Sequence, residues 1–141
     1  MIILDTNVLA EPLRPRPNAD VVAWLDAQVI ETLYLTTVSL AEVRYGIACL
    51  PAEKRRTRLQ ERFEGEIVPL FSGRTLAFDE PATVAYATLR ARARANGRGI
   101  GDFDALIASI ANATGFTVAT RDTAPFEAAG AAVVNPFDQT R

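Results

Sequence analysis

Four acidic side chains stand where an alternating chain of strands and helices would end one element or begin the next. They are Asp5 in Ile2-Ile3-Leu4-Asp5-Thr6-Asn7, Glu42 in Ser39-Leu40-Ala41-Glu42, Asp104 in Asp104-Ala105-Leu106-Ile107-Ala108, and Asp122 in Thr120-Arg121-Asp122. The chain has no histidine, one cysteine and a single lysine, Lys54. Chemistry here would fall to carboxylates. Carboxylates forced together repel, and a bound divalent cation is the usual remedy.

The missing histidine removes whole classes of enzyme. A Ser-His-Asp triad, a Cys-His pair and a metal-free histidine ribonuclease all need it. A structural zinc site needs Cys or His ligands. No Gly-x-x-x-x-Gly-Lys-Ser/Thr loop is present to cradle a nucleotide. The 141 residues, 49% apolar and 23% charged, match one globular domain, expected to span 1–141. No apolar run is long enough for a membrane span, and the start lacks the pattern of a secretory signal. A cytoplasmic home and no membrane partner are the expectation. Cys49 sits in an apolar helical pattern and reads as a small buried hydrophobe. Net charge is −2, against broad nucleic-acid binding, yet 14 of the 15 basic residues are arginine and could form a local groove.

The elements that must position these acids alternate. Short apolar or β-branched runs predict strands at 1–4, 33–38, 67–71, 116–120 and 131–134. Helical spacing predicts helices over 6–13, 19–28, 39–50, 52–66, 79–96 and 102–114, with a short helix or turn at 122–129. Residues 97–101 are a flexible loop, and a tail begins at Pro136. Strands alternating with helices imply an α/β fold with a mostly parallel sheet covered on both faces. Ligands gather at the carboxyl ends of such strands. Asp5 and Asp122 follow strands, and Glu42 and Asp104 begin helices, so all four can meet at one sheet edge.

Each acid also has a local alternative. Asp5 could cap the helix after it. Ser39-x-x-Glu42 is a capping-box pattern, in which the glutamate reaches back to a backbone N–H. Asp102 and Asp104 could both serve the positive end of a helix dipole. Asp122 could cap the turn at Thr123. Capping does not explain why acids at helix starts coincide with acids after strands at the same edge.

The ordered set, with Leu4-Asp5-Thr6-Asn7, Ala41-Glu42, Asp104-Ala105-Leu106-Ile107-Ala108 and Ala119-Thr120-Arg121-Asp122, resembles the PIN-domain ribonucleases, and within them the VapC-type toxins of bacterial toxin–antitoxin pairs. Ser39-Leu40-Ala41-Glu42-Val43-Arg44-Tyr45-Gly46, Phe78-Asp79-Glu80-Pro81 and Asn135-Pro136-Phe137 are similar to the FitB-like branch. The resemblance covers essentially the whole chain. It implies a three-layer α/β/α fold around four to five strands. It also implies a Mg²⁺-dependent endoribonuclease, with Mn²⁺ a plausible substitute, leaving a 5′-phosphate and a 3′-hydroxyl. The family's four acids fall on Asp5, Glu42, Asp104 and Asp122. Asp5 and Asp104 are the expected direct ligands, with Asp122 and Glu42 on the ion's waters or a second ion. Glu42 is the candidate to accept the attacking water's proton. Asn7 matches the polar residue after the first acid and Thr120 the small hydroxyl residue before the last; both are expected to help hold the cofactor.

The resemblance further implies a small DNA-binding antitoxin, contact with DNA only through it, and a homodimer, for which Val21 to Leu25 offer a contact face. RNA contact needs positive charge beside an acidic pocket. Arg90, Arg94 and Arg98 recur every four residues and would share a helix face, where arginine can grip phosphate with paired hydrogen bonds. A solvated helix face is the plainer reading of that run, and of the Lys54–Arg58 run. Trp24 reads as core or interface rather than a base-stacking platform. The alternative function is a catalytically weak PIN scaffold in an antitoxin–DNA complex. A receiver or phosphatase domain ranks lower. Its lysine or Asp-x-Asp is missing, since Asn7 stands at the second position.

Overall fold

A computed structural model describes residues 1–138; the tail expected from Pro136 onward lies partly outside that range. Five strands, β1 (Ile2–Leu4), β2 (Leu33–Thr36), β3 (Thr75–Leu76), β4 (Thr117–Ala119) and β5 (Val133–Val134), form one sheet in the order β3-β2-β1-β4-β5. Every pairing is parallel, with Ile3 opposite both Tyr34 and Val118. Seven helices cover it: α1 (Thr6–Ala10), α2 (Ala19–Ala27), α3 (Thr37–Ala48), α4 (Lys54–Arg62), α5 (Glu80–Ala95), α6 (Asp102–Thr114) and α7 (Thr123–Ala128). The three-layer α/β/α architecture is the one expected from the sequence.

Side chains alternate across a strand, and here each alternation feeds a different core. Ile3 and Val118 pack with Leu89, Ile107, Ile110 and Phe126, the layer of α5, α6 and α7. Leu4, Ala119, Leu33 and Leu35 pack with Val8, Val21, Val43 and Phe63 on the other face. Strands buried on both faces read as short apolar runs, which is why they are visible in the sequence.

The caps explain the boundaries. Asp79 Oδ1 accepts from the Ala82 amide at 3.2 Å, with Pro81 in the first turn of α5. Gly115, at φ 73°, closes α6 in the left-handed conformation that a side chain would resist. α3 starts two residues before the expected Ser39. Thr36, the last residue of β2, caps it by accepting from the Ser39 amide at 3.0 Å.

Two expectations are corrected. The stretch 67–71 is not a strand: a π turn (Phe63–Ile67) and a 3-10 turn (Val68–Phe71) continue from α4, and the strand comes later, at Thr75–Leu76. Leu59, Phe63, Ile67 and Phe71 recur every four residues, a helical period, and Pro69 has no N–H for a ladder. Phe63 and Phe71 are buried through that spacing. Cys49 is exposed rather than buried, because it is the C-cap of α3 and lies past the face that packs inward. The Val21–Leu25 face is used within the chain: Val21 is fully buried, and Trp24 and Leu25 pack on the same core.

Candidate active site

The strand order places a switch point between β1 and β4. From β1 the chain builds outward through β2 and β3, then returns to the other side of β1 with β4 and β5. Helices leaving neighbouring strands at such a point diverge, and the crevice at the carboxyl ends of those strands is where open α/β sheets bind ligands. Asp5 follows β1 directly, and its amide donates to the Ala119 carbonyl of β4 at 2.9 Å. Across the crevice, Thr120 Oγ1 donates to Asp5 Oδ2 at 2.8 Å. The other oxygen, Asp5 Oδ1, accepts from the Thr6 amide at 2.8 Å and caps α1. Asp5 is thus a cap that also reaches across the crevice, fixed at both oxygens and 4% exposed.

Thr120 is fully buried and holds two acids at once, because its Oγ1 also accepts from the Asp122 amide at 3.1 Å. Asp122 is exposed at the N-cap of α7, with no capping bond from its side chain. Glu42 does not close a capping box. Its Oε1 accepts from Thr6 Oγ1 at 2.7 Å, a charge-assisted bond that ties α3 to α1. Ser39 Oγ lies 3.2 Å from the same hydroxyl and 3.3 Å from Thr36 Oγ1. Asn7 is exposed on α1, one residue beyond Thr6.

Asp104 stands in the first turn of α6, half-buried beside Gly101; a Cβ on that glycine would meet Asp104 Oδ2 at 3.9 Å. Its carboxyl is pushed up to about 6, first by burial and then by the negative charges of Asp5, Glu42 and Asp122. Asp5 is also raised, mainly by burial. Hydrogen bonds from Thr120 and Thr6 oppose that rise, and Glu42 and Asp122 add to it. The four acids therefore share one electrostatic site. Asp102 does not join them: its side chain is 86% exposed and pairs with Arg90 at 3.2 Å.

The donor set is all oxygen, carboxylates and hydroxyls with excess negative charge, which is the chemistry of a hard divalent cation. Among the described residues no three acids, cysteines or histidines are gathered closely enough to hold an ion together. Magnesium keeps most of its waters and takes one or two direct carboxylates, so the donor set fits such an ion without a three-acid cage.

Sequence reasoning missed Thr6, Ser39 and Thr36, the hydroxyls that organise Glu42 and the start of α3. Their signal was present in Asp5-Thr6-Asn7 and in Thr36-Thr37-Val38-Ser39, but Ser and Thr at such places read as ordinary caps. Glu11 was missed as well. It is 2% exposed, 3.1 Å from Arg14 and 3.7 Å from Arg121, and its Oε2 has no hydrogen-bond partner among the described residues. Arg121 lies over the Phe137 ring at 4.1 Å, so this buried carboxylate braces the residue just before Asp122.

The predicted arginine stripe is only partly helical. Arg90 and Arg94 lie on α5, whereas Arg98 follows the cap at Asn96, and Gly97, at φ 65°, turns the chain. The Lys54–Arg58 run lies on α4 and faces largely outward. No helix among the described residues is long and apolar enough to cross a membrane.

Known proteins match this arrangement along nearly its full length. The VapC ribonuclease Y4jK of Sinorhizobium fredii is 53% identical over 138 residues, covering 98% of this chain and 99% of the relative. Toxin FitB of Neisseria gonorrhoeae is 50% identical over 137 residues, covering 97% and 99%. A solved structure of FitAB bound to an IR36 DNA fragment superposes with a TM-score of 0.96 at 49% identity, covering 100% of this chain and 99% of that one. The PIN domain model matches residues 2–131, and the chain belongs to the PIN domain family.

Proposed function

We propose that this protein is the toxin of a type II toxin–antitoxin pair, a metal-dependent endoribonuclease that hydrolyses RNA phosphodiester bonds. The observation that carries this reading is the gathering of Asp5, Glu42, Asp104 and Asp122 at the switch point of the sheet, tied by the Thr120 and Thr6 hydroxyls and close enough for Glu42 and Asp122 to act on both Asp5 and Asp104. A structural capping role leaves acids apart, whereas here the charges of Glu42 and Asp122 bear on both Asp5 and Asp104 and raise the proton affinity of those two, as a site awaiting a cation does.

Asp5 and Asp104 would hold Mg²⁺ or Mn²⁺, with Asp122 and Glu42 on its water ligands. When bound, the ion supplies positive charge against the phosphate oxygens and a more acidic water. The chain's own side chains do the rest. Thr120 favours the ionised form of Asp5 and aims it by donating to Oδ2. Thr6 fixes Glu42 through Oε1, so Glu42 can take the proton of the attacking water as general base. Burial of Asp5 and the hydroxyl network limits how far these groups reorganise during the reaction.

The relatives named a ribonuclease and a toxin support the activity and the role. The likeness to FitAB on DNA supports an antitoxin partner that carries the DNA contact, and it favours the second reading, a weakly catalytic scaffold in that complex. One assay separates the two. Purified chain is incubated with a panel of single-stranded RNAs under Mg²⁺ or Mn²⁺, beside Asp5→Asn. Cleavage lost in the folded Asn variant supports the nuclease. Intact RNA across the panel under both metals refutes it in favour of the scaffold.

A further inference from the structure

An acidic cup repels a polyanion, so a nuclease built on one needs positive charge nearby to hold the strand. The described surface offers such a place one loop away. A hollow of about 520 Å³ is lined by Arg90, Arg94, Arg98 and Ile100, among others. Arginines on a helix face usually point into solvent. These instead wall a concavity, and the backbone explains why. Gly97 turns the chain after α5, the Arg98 amide donates to the Ala93 carbonyl at 2.8 Å, and Arg90 donates to the Ile100 carbonyl at 3.2 Å. The loop is thereby folded back against the helix that carries the other arginines.

The charge balance in the hollow is one-sided. Arg90 is committed: it pairs with Asp102 and lies over the Tyr86 ring at 5.4 Å. Arg94 and Arg98 have no ion pair among the described residues. The chain leaves the hollow toward Asp104. Ile100 lines it, Gly101 follows, and Gly101 touches the space of Asp104 Oδ2.

We infer that this hollow is a backbone subsite, in which Arg94 and Arg98 grip phosphates of single-stranded RNA flanking the bond to be cleaved while Arg90 holds the wall in place. The inference rests on the nuclease reading for the meaning of the strand, but not for the binding itself. Planar guanidinium groups engage phosphate oxygens in pairs of hydrogen bonds, and the contact carries no sequence information.

The test uses the whole chain carrying Asp5→Asn, so that bound RNA stays intact. A labelled single-stranded RNA is titrated by fluorescence anisotropy across a series of salt concentrations. Adding Arg94→Ala and Arg98→Ala should weaken binding about tenfold. Two lost phosphate contacts should also flatten the slope of log K against log salt by about 1.4. Arg55→Ala with Arg58→Ala, on exposed positions of α4, should leave both readings as they were. In the cleaving chain, the Arg94/Arg98 pair of changes should raise KM much more than it lowers kcat. Affinity and slope unchanged by the Arg94/Arg98 changes would overturn the subsite even if RNA is cut efficiently. RNA bound through these arginines but never cut would retain the subsite and remove the nuclease. Displacement of RNA from every variant alike by an acidic peptide, or no RNA binding at all, would also overturn it.

Discussion

Replacing Asp104 by asparagine should make the metal-free protein more stable. The substitution keeps the shape of the side chain and removes one of four coupled charges. In the folded chain the Asp104 carboxyl titrates at about 6, against 3.8 for an ordinary aspartate. A folded state that holds the proton more tightly than the unfolded chain loses stability as pH rises between those two values. Below about 3.8 the penalty is absent, and above about 6 it is complete. At 1.36 kcal/mol per unit the full penalty would be about 3 kcal/mol. Asp104 is only half-buried, and solvent screening reduces that to about 1–1.5 kcal/mol. For a chain of this length the gain corresponds to roughly 3–5 °C in Tm.

The assay is a set of thermal and urea melts from pH 4 to pH 8 in chelator, for the parent and Asp104→Asn. The two proteins should converge near pH 4 and separate above pH 6, with the variant the more stable. Mg²⁺ should then reverse the difference, since a ligand at a hundred times its Kd contributes about 2.7 kcal/mol to the form that binds it. The variant should gain little from the ion. An Asn variant no more stable than its parent at pH 7.5 in chelator, with the same pH slope, would refute the electrostatic account of the site.

Two further changes probe the hydroxyls. Thr120→Val removes a hydrogen bond that favours ionised Asp5, so the Asp5 pKa should rise further and the acid limb of the pH–rate profile should move to higher pH. The change should also cost about 1–3 kcal/mol in urea melts, because it strips a buried carboxylate oxygen of its donor; an unmoved acid limb would contradict the role given to Thr120. Thr6→Val frees Glu42 from its 2.7 Å partner. It should lower kcat by about ten- to a hundredfold, part of what a general base supplies, with KM little changed and stability altered by no more than about 1 kcal/mol.

What the sequence made legible follows from the length scale of each signal. β1, β2 and β4 were readable because strands buried on both faces are apolar without interruption. The caps at Asp79 and Gly115 were readable because a single residue type carries each. β3 was not. It spans Thr75–Leu76 only, too short for any periodicity, and the neighbouring apolar stretch drew the assignment away although its spacing of four was helical. The start of α3 was misplaced for a related reason. β2 runs straight into the helix, so its own last residue, Thr36, serves as the cap that Ser39 seemed to offer. The candidate acids were singled out by their types and their places at element junctions. The hydroxyls that hold them were passed over because Ser and Thr occur at helix starts for purely local reasons.

The apparent choice between capping and function dissolves at Asp5 and stays sharp at Glu42. In a parallel sheet every strand-to-helix junction opens on the same edge, so the positive ends of α1, α3 and α7, which follow β1, β2 and β4, are directed toward the crevice that receives the acids. A carboxylate that caps one of these helices is already turned toward the others. Asp5 does both with its two oxygens, one on the Thr6 amide and one on Thr120. Glu42 sits inside its helix, where it could have reached back to the backbone, yet it spends Oε1 on a hydroxyl of another element. Local capping would have been satisfied without that contact. A fold selected for helix stability alone gains nothing by assembling four mutually repelling carboxylates, whereas one that must capture a cation gains from each.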